Sequence, residues 1–350
     1  MLRDLRLRDF RCFESLDLTL RPGLNFFIGA NAQGKTSILE AACVLLRLHS
    51  PRASSLAESV RFDQVGFGLD GHWDERHLHM KFTHALKAFA LDSKPQSRSA
   101  DYLAVARVVW ISNYDLELVR GSGTHRRRYL DFLGAQTVPN YLRHLRAYDR
   151  ALRSRNALLK EARPRQEIAA FDSSLIDSGS ILLQSRTAMC RDLQPLVTAS
   201  CHRIAGGSES LEIKYQAGVA DDFARALEAS RAEEDRRRVT VVGPHRDDIT
   251  ICLNGRDASQ FASEGQQRSI ALALKLAQAG RIEASPGVAP IYLIDDVFGE
   301  LDSVRRNNLL GALPATAQKL VTVTALDWLE VAGTASSFEV SGGTVRAARV

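Results

Sequence analysis

The sequence predicts an α/β fold in which a parallel sheet is combined with an antiparallel β region and a long inserted run of helices. Three stretches support this prediction. Residues 24–48 pass from an apolar strand through a glycine-rich loop into a helix, residues 65–91 alternate with the period of antiparallel strands, and residues 126–200 are helical almost throughout. With 350 residues and 45% hydrophobic content, the chain can bury a substantial core.

The composition argues against several classes of protein. The five cysteines are odd in number and form no C-x-x-C pair, which is not the pattern of a disulfide framework or of a cysteine zinc site. The N-terminal residues are charged from the start, and no run of about eighteen apolar residues occurs. We therefore expect a cytoplasmic protein with reduced thiols and no membrane span.

The first part of the chain is predicted to form three strands, the last of which enters a glycine-rich loop. Leu5–Phe10 and Leu16–Leu20 read as strands, and the apolar run Leu24–Ile28 enters the glycine-rich loop. A helix is expected from Lys35 to about Leu48. The loop is therefore placed between a buried strand and a helix.

This loop has the spacing G-x-x-x-x-G-K-[ST] of a phosphate-binding P-loop, in the strand-loop-helix context that the motif requires. Glycines let the backbone wrap a polyphosphate, and amides at the helix N-terminus face its oxygens. We expect Lys35 to reach the β- and γ-phosphates of ATP and Thr36 to offer its hydroxyl to Mg²⁺. The predicted nucleotide-binding residues here are Gly29, Ala30, Asn31, Ala32, Gln33, Gly34, Lys35 and Thr36.

A helical insertion is predicted to follow the β region. The stretch 65–91 reads as an antiparallel meander and Val105–Ile111 as a buried strand. From about Arg126 to Ser200 the pattern is helical, with breaks at Pro139 and near Pro164. We expect two or three long helices.

These helices are basic, with twelve Lys/Arg against three Asp/Glu between Arg120 and Arg165, a local net charge of +9. At about 100° per residue, four arginines of one helix form a stripe about 80° wide, opposite the apolar side chains. The stripe consists of Arg143, Arg146, Arg150 and Arg153. Such a stripe can follow the phosphates of DNA. The alternative is that the arginines pair with acids on a neighbouring helix.

After the helices the chain is predicted to return to β structure. We expect a strand at Leu211–Tyr215, a charged helix at Asp221–Arg238, strands at Val239–Val242 and Ile249–Leu253, and a hairpin turn at Asn254-Gly255. The predicted domains are residues 1–122 and 238–350 as two parts of one nucleotide-binding head, with residues 123–237 as an inserted helical arm.

A pair of acids completes the predicted site. Pro290–Asp296 is an apolar strand that ends in two carboxylates, and in a P-loop fold that end of the strand meets the phosphates. We expect Asp295 to hold Mg²⁺ and Asp296 to act as the base for the attacking water or to orient it. Lys35 and Asp296 are the predicted catalytic residues.

A second phosphate-binding tip is predicted where a long helix begins. Ser263, Gly265 and Gln266 supply a hydroxyl, a flexible backbone and free amides at this position. One nucleotide does not easily contact two helix tips of the same fold. We therefore expect a head-to-tail dimer, in which ATP lies between the P-loop of one subunit and the Ser263 tip of the other.

Four segments together resemble the head of ABC-type ATPases, the last of them resembling the dimer-crossing D-loop: Gly29–Thr36, Ser263–Gln266, Asp295-Asp296 and Glu300-Leu301-Asp302. Within that superfamily, Arg155–Lys160 and Gly243–Asp248 make the chain resemble the RecF family of bacterial recombination mediators nearly end to end. The chain departs from the family at Asn113-Tyr114-Asp115, and no switch histidine follows the strand Leu320–Thr324, so the γ-phosphate sensor is unassigned.

The resemblance implies an ABC-type P-loop ATPase head with an antiparallel β subdomain and an inserted α-helical domain. It also implies a weak, DNA-stimulated ATPase that dimerises with ATP and acts in replication, gap repair and recombination. The implied partners are DNA at junctions between single and double strands, RecR, RecO, and RecA, which such a protein would help to load.

Three other classes of protein share part of this pattern. An ABC transporter nucleotide-binding subunit lacks an insertion such as the one that separates Lys35 from Asp295 by 260 residues. An SMC-like chromosome ATPase needs coiled-coil arms of hundreds of residues, which about 75 helical residues interrupted by prolines do not supply. A scaffold that keeps the fold without the activity is the third.

Overall fold

The computed structural model of the chain describes residues 1–53, 55–207, 209–219, 222–326 and 335–348. The chain divides into two compact units, and each is described by itself. The first unit comprises Met1–Asp115 and Ile282–Val350, and the second comprises Leu116–Arg281. No helix in the described ranges has both the length and the apolar character needed to cross a bilayer.

The strands, in chain order, are β1 (Leu2–Phe10), β2 (Phe13–Thr19), β3 (Leu24–Ile28), β4 (Gly66–Trp73), β5 (Arg76–Thr83), β6 (Lys87–Leu91), β7 (Lys94–Pro95), β8 (Val108–Ser112), β9 (Leu211–Gln216), β10 (Asp248–Leu253), β11 (Arg256–Asp257), β12 (Ile291–Asp295), β13 (Lys319–Val323), β14 (Ser336–Ser341) and β15 (Thr344–Ala348).

The α-helices are α1 (Lys35–Arg47), α2 (Ser99–Ala104), α3 (Glu117–Arg120), α4 (Gly123–Thr137), α5 (Tyr141–Lys160), α6 (Arg165–Ala169), α7 (Asp172–Ala205), α8 (Phe223–Ala229), α9 (Arg231–Arg237), α10 (Ala258–Phe261), α11 (Glu264–Glu283) and α12 (Ser303–Ala312). Short 3-10 helices occur at Leu56–Ser59, Asn113–Leu116, Pro244–Arg246 and Phe298–Glu300.

The first unit contains two six-stranded sheets. In one, the order is β2-β1-β4-β5-β6-β7 and every pairing is antiparallel, which confirms the predicted meander. In the other, the order is β15-β14-β3-β13-β12-β8, and all pairings are parallel except that of the edge strand β15. Helix α1 is buried along almost its whole length, as expected for a helix with apolar residues on most sides. The acid-bearing strand β12 and the strand β3 before the P-loop thus lie in one parallel sheet.

The second unit contains the long helices α4, α5 and α7, which confirms the predicted helical insertion with breaks near Pro139 and Pro164. Helix α5 has the two faces expected from its sequence, because Tyr141, Tyr148 and Leu159 are buried. The four arginines of the stripe are all exposed. A three-stranded antiparallel sheet, β11-β10-β9, completes the unit, and the predicted hairpin turn at Asn254-Gly255 joins β10 to β11.

The second unit ends at Arg281, later than the end of the helical arm that was predicted at residue 237. Residues 238–281 belong to the second unit, whereas the sequence assigned them to the second part of the head. The reason is that β10 pairs along its length with β9, while Arg126 on α4 forms an ion pair with Asp248, with Nε and Oδ1 2.6 Å apart.

Two local predictions in this region were wrong. Val239–Val242 forms no strand, because the Thr240 N–H bonds to the Asn156 side chain and the Thr240 hydroxyl accepts a hydrogen bond from Arg155. The charged helix is two helices, α8 and α9, which meet at Ser230. Asp221, the predicted first residue of that helix, lies outside the described residues.

A buried ion-pair cluster holds this part of the second unit together. Arg155 on α5 is fully buried and donates to both Glu234 carboxylate oxygens, at 2.6 and 2.9 Å, and to Asp172 at 2.7 Å. Burial by itself would lower the pKa of Arg155. The hydrogen bonds that Arg155 donates to Glu234 and Asp172, together with the charges of these acids, outweigh burial and raise that pKa. Since Glu234 is also fully buried, each charge depends on the other.

We expect Glu234→Gln to lower the free energy of unfolding by about 3–5 kcal/mol, because it leaves the Arg155 charge buried without its main partner. The matched control is Glu233→Gln, which removes the neighbouring acid from exposed pairs with Arg236 and Arg237. Chemical denaturation of both variants measures the difference. Similar losses for the two variants would contradict a special role for the buried pair.

Candidate functional site

The P-loop backbone needs glycine at two positions. Gly34 has φ of 102°, and a Cβ there would lie 2.7 Å from the Cys12 sulfur. A Cβ at Gly29 would lie 2.2 Å from the carbonyl oxygen of Val340 on β14. The loop therefore takes its shape from close packing against neighbouring backbone as well as from its own sequence.

Lys35 folds back over the P-loop. Its Nζ donates to the carbonyl oxygens of Gly29 and Ala30, the latter at 2.8 Å. Burial lowers the pKa of Lys35, while Asp296 and Asp295 act in the opposite direction. The ammonium group thus lies inside the loop that would surround a phosphate chain, where the motif places it.

Thr36 and Asp295 are brought together from distant parts of the sequence. The Thr36 hydroxyl donates to Asp295 Oδ1 at 2.8 Å, and the Thr322 hydroxyl on β13 donates to the same oxygen at 2.8 Å. Burial raises the pKa of Asp295, although both hydrogen bonds oppose that change. The two predicted magnesium-binding residues therefore lie side by side.

Asp296 follows Asp295 and faces a different environment. It borders the same cavity as Lys35 and Thr36, whereas Asp295 is buried. The pKa of Asp296 is raised, mainly by burial, although the nearby Lys35 opposes the rise. None of the described residues donates a hydrogen bond to the Asp296 carboxylate, which leaves its oxygens available for a water molecule.

The cavity beside the P-loop has a volume of about 570 Å³. Its lining residues share one place in the fold, the end of the first unit where β1, the P-loop and β12 meet. They are Arg11, Cys12, Asn31, Ala32, Gly34, Lys35, Thr36, Ser37, Arg52, Glu58, Val60 and Asp296. This volume lies in the range of small-molecule sites. A lining of backbone amides and cations suits a nucleoside triphosphate.

Sequence reasoning missed one residue behind this cavity. Glu40 on α1 is fully buried and accepts from Arg11 Nε at 2.9 Å and from Arg11 Nη2 at 2.7 Å. The Ser50 hydroxyl also donates to Glu40, at 2.6 Å. Glu40 thereby holds the Arg11 guanidinium at the cavity wall. The available signal was that Glu40 is the single acid of α1, five residues after Lys35.

The residues present fit a magnesium-bound nucleotide. Thr36 and Asp295 offer a hydroxyl and a carboxylate, which are oxygen donors of the kind that Mg²⁺ prefers. Thr36 lines the cavity, and Asp295 is bonded to it from behind. Thr36 and Asp295 would hold the ion, directly or through water. When bound, the ion would neutralise charge on the β- and γ-phosphates.

The predicted second tip lies in the second unit, whereas the P-loop lies in the first. Ser263 is exposed at the start of α11, where its Oγ accepts from the Gln266 N–H at 3.3 Å and its N–H donates to Gln266 Oε1 at 2.9 Å. Gln266 also donates to Glu209 at 2.8 Å. The contact of Ser263, Gly265 and Gln266 with a nucleotide stays a prediction.

The segment Gly243–Asp248 has a structural explanation within the second unit. The His245 Nε2 contacts the Thr240 carbonyl oxygen at 3.0 Å, and its Nδ1 contacts the Tyr148 hydroxyl at 2.6 Å. Burial lowers the pKa of His245 to about 4. Asp247 is fully buried and pairs with Arg186 at 2.7 Å. The contacts with Thr240 and Tyr148 give His245 a structural role within this unit.

The basic segment is partly neutralised. At least five of its twelve cations pair with acids elsewhere in the second unit: Arg120 with Glu264, Arg126 with Asp248, Arg155 with Glu234, Arg163 with Glu167 and Arg165 with Glu234. Internal pairing therefore neutralises part of the local charge, although none of these five arginines belongs to the stripe. The four arginines of the stripe on α5 are exposed at the surface of this segment, as are Arg128 and Lys160.

The chain is similar to several known proteins. The family model described as an AAA domain matches residues 4–95. A DNA replication and repair protein RecF from Chloroflexus aurantiacus is 37% identical over 92% of this chain and 93% of its own length. A RecF from Listeria monocytogenes is 32% identical over 99% of both chains.

Two solved structures extend the likeness to three dimensions. A structure of the recombination mediator protein RecF with ATP, in the RecFOR pathway, has a TM-score of 0.89 and 28% identity, and covers 99% of this chain and 97% of its own. An Smc head bound to the C-terminal winged-helix domain of ScpA has a TM-score of 0.54 at 13% identity over 99% of this chain and 96% of its own. The second comparison shows a shared fold alone.

We expect Lys35→Ala to weaken ATP binding by about 100-fold or more, because it removes the charge-assisted bonds to the phosphates. Isothermal titration with ATP measures the change. Lys81→Ala, which removes an exposed lysine from β5 in the same unit, is the control and should leave the affinity unchanged. Parent-like affinity of Lys35→Ala would contradict the assignment of the P-loop.

Proposed function

The chain belongs to the RecF family of DNA replication and repair proteins, and from that premise we propose that it is an ATP-dependent DNA-binding clamp. The observation that supports the proposal most directly is the convergence of Lys35, Thr36 and Asp296 on one cavity, with Asp295 bonded to Thr36 behind it. ATP is the expected ligand, because a RecF structure with ATP shares the fold at 28% identity.

The proposed reaction is hydrolysis of ATP. The P-loop amides and Lys35 would bind the β- and γ-phosphates, and Thr36 and Asp295 would hold a magnesium ion that neutralises phosphate charge. Asp296 orients a water molecule or takes its proton as the water oxygen bonds to the γ-phosphorus. The bond from that phosphorus to the bridging oxygen breaks, and ADP and phosphate are released. The half-buried position of Asp296 beside Lys35 supports this role.

We propose that ATP is enclosed by two copies of the chain. Ser263 is exposed at a helix start, as a residue that contacts the partner's nucleotide should be. Together with Gly265 and Gln266 it would face the triphosphate held by the other P-loop. Closing the dimer would then bring two α5 stripes to one DNA molecule, and hydrolysis would release it.

DNA contact is assigned to the stripe of Arg143, Arg146, Arg150 and Arg153. Their exposure on the face of α5 opposite its buried tyrosines supports the assignment. Contacts of this kind bind phosphates without reading sequence. By family membership we further propose action in the cytoplasm at junctions between single- and double-stranded DNA, with RecR and RecO as partners and RecA as the protein loaded.

We expect Asp296→Asn to bind ATP normally, to hydrolyse it at least about 100-fold more slowly, and so to accumulate as an ATP-bound dimer. Light scattering after size-exclusion chromatography, with and without ATP, measures the assembly. An ATPase assay with and without gapped DNA measures the rate. A variant that stays monomeric in ATP would refute the clamp, and a parent protein without DNA-stimulated hydrolysis would favour the inactive scaffold.

For the DNA contact we expect the double variant Arg143→Ala/Arg150→Ala to bind DNA more weakly. The slope of log affinity against log salt concentration should become less negative by about one to two. The control, Arg225→Ala/Arg231→Ala, removes the same charge from exposed positions on α8 and α9. It should change the slope far less. An unchanged slope for the α5 variant would assign these arginines to internal pairing.

A further inference from the structure

The backbone of Asp296 is in an unusual conformation. Its φ is +53°, in the left-handed region that residues other than glycine seldom adopt. Such a conformation costs on the order of 1 kcal/mol or more and persists only when the surrounding structure enforces it. The residue concerned borders the cavity with Lys35 and directly follows the buried Asp295. Its surroundings therefore determine where its carboxylate points.

Two side chains hold the backbone of Asp296, one from β13 and one from the residue that follows β8. The Asp296 N–H donates to the Thr322 hydroxyl oxygen on β13 at 2.8 Å. The Asp296 carbonyl oxygen accepts from Asn113 Nδ2 at 2.9 Å, and Asn113 comes directly after the last residue of β8. Both polar groups of this residue's backbone are thus bonded in the left-handed conformation.

The Asn113 amide has only one orientation that fits. Its Nδ2 donates a second hydrogen bond, at 2.9 Å, to Oε1 of Glu300 in the short helix after β12. A nitrogen with two hydrogens suits two acceptors, whereas a flipped amide would place its oxygen against both of them. Asn113 therefore ties together the two ends of the segment from Asp296 to Glu300.

We propose that Asn113 is a positioning residue, which fixes the backbone of Asp296 so that its carboxylate faces the phosphate end of the cavity. Asn113 acts through Asp296 and is not among the residues that line the cavity. Thr322 holds the Asp296 backbone from the other side but also donates to Asp295, which is expected to bind the metal ion. A substitution at Asn113 therefore tests the positioning of Asp296 without disturbing Asp295. The inference rests on the proposed function, in which Asp296 serves the attacking water.

This arrangement predicts an effect on hydrolysis and none on binding. Without the Asn113 amide the carbonyl of Asp296 loses its donor, and the peptide is free to leave the left-handed region. The carboxylate then turns from the water, whereas Lys35, Thr36 and Asp295 keep their contacts. The rate constant for hydrolysis should fall, and the affinity for ATP should stay the same.

The experiment compares Asn113→Ala and the isosteric Asn113→Asp with the parent protein, with single-turnover hydrolysis and ATP affinity as readouts. We expect Asn113→Ala to hydrolyse ATP about 10-fold more slowly with its affinity changed less than about twofold. Asn113→Asp should lose at least as much, because it sets a carboxylate against two acceptor oxygens. Asn307→Ala, which removes an exposed asparagine on α12, is the control and should match the parent.

A double-mutant cycle with Asp296→Asn separates positioning from a general structural effect. If Asn113 acts through Asp296, then Asn113→Ala adds no further loss in the Asp296→Asn background. Independent, additive losses would overturn the proposal, as would equal losses of rate and affinity. Parent-like hydrolysis by Asn113→Ala beside a slow Asp296→Asn would overturn this inference alone. Parent-like hydrolysis by Asp296→Asn would instead refute the proposed role of Asp296.

Discussion

The hydrogen bond between Thr36 and Asp295 is the interaction on which the site depends. It joins the first turn of α1 to the end of β12 and exists only because β3, β13 and β12 lie side by side in parallel register. That register aligns the carboxyl ends of the strands, so the P-loop, the two acids and Thr322 meet at one edge. The positions of the site residues in this unit therefore follow from the packing of α1 on the parallel sheet and from the register of that sheet.

The two units use buried charge differently. In the first unit, buried Glu40 holds Arg11 at the wall of a cavity, so the ion pair arranges a surface for a ligand. In the second unit, the buried Arg155 and Arg186 are each paired with acids on other elements of that unit, so these ion pairs hold the fold together. Counting charges along the sequence therefore overstates the basic surface of the helical unit, although the stripe arginines of α5 are exposed.

Features set by near neighbours in sequence could be predicted, and those set by distant partners could not. The P-loop, the meander, the hairpin turn and the faces of α5 each follow from local spacing. Val239–Val242 looked like a strand because its apolar run was read without Asn156 and Arg155, which lie more than 80 residues earlier and bind Thr240. The roles of Glu40 and Asn113 were hidden for the same reason, since single polar residues acquire them only from the tertiary contacts.

The order of strands in the parallel sheet also affects how a new chain matures. Strand β3, which leads into the P-loop, pairs only with β13 and β14 among the described strands, and both lie near the end of the sequence. The second unit, by contrast, is one continuous stretch. At 5–20 residues per second, a ribosome needs roughly 15–60 s between making β3 and making β13. Nascent chains would therefore complete the helical unit first and gain a working nucleotide pocket only after β13 and β14 have been made.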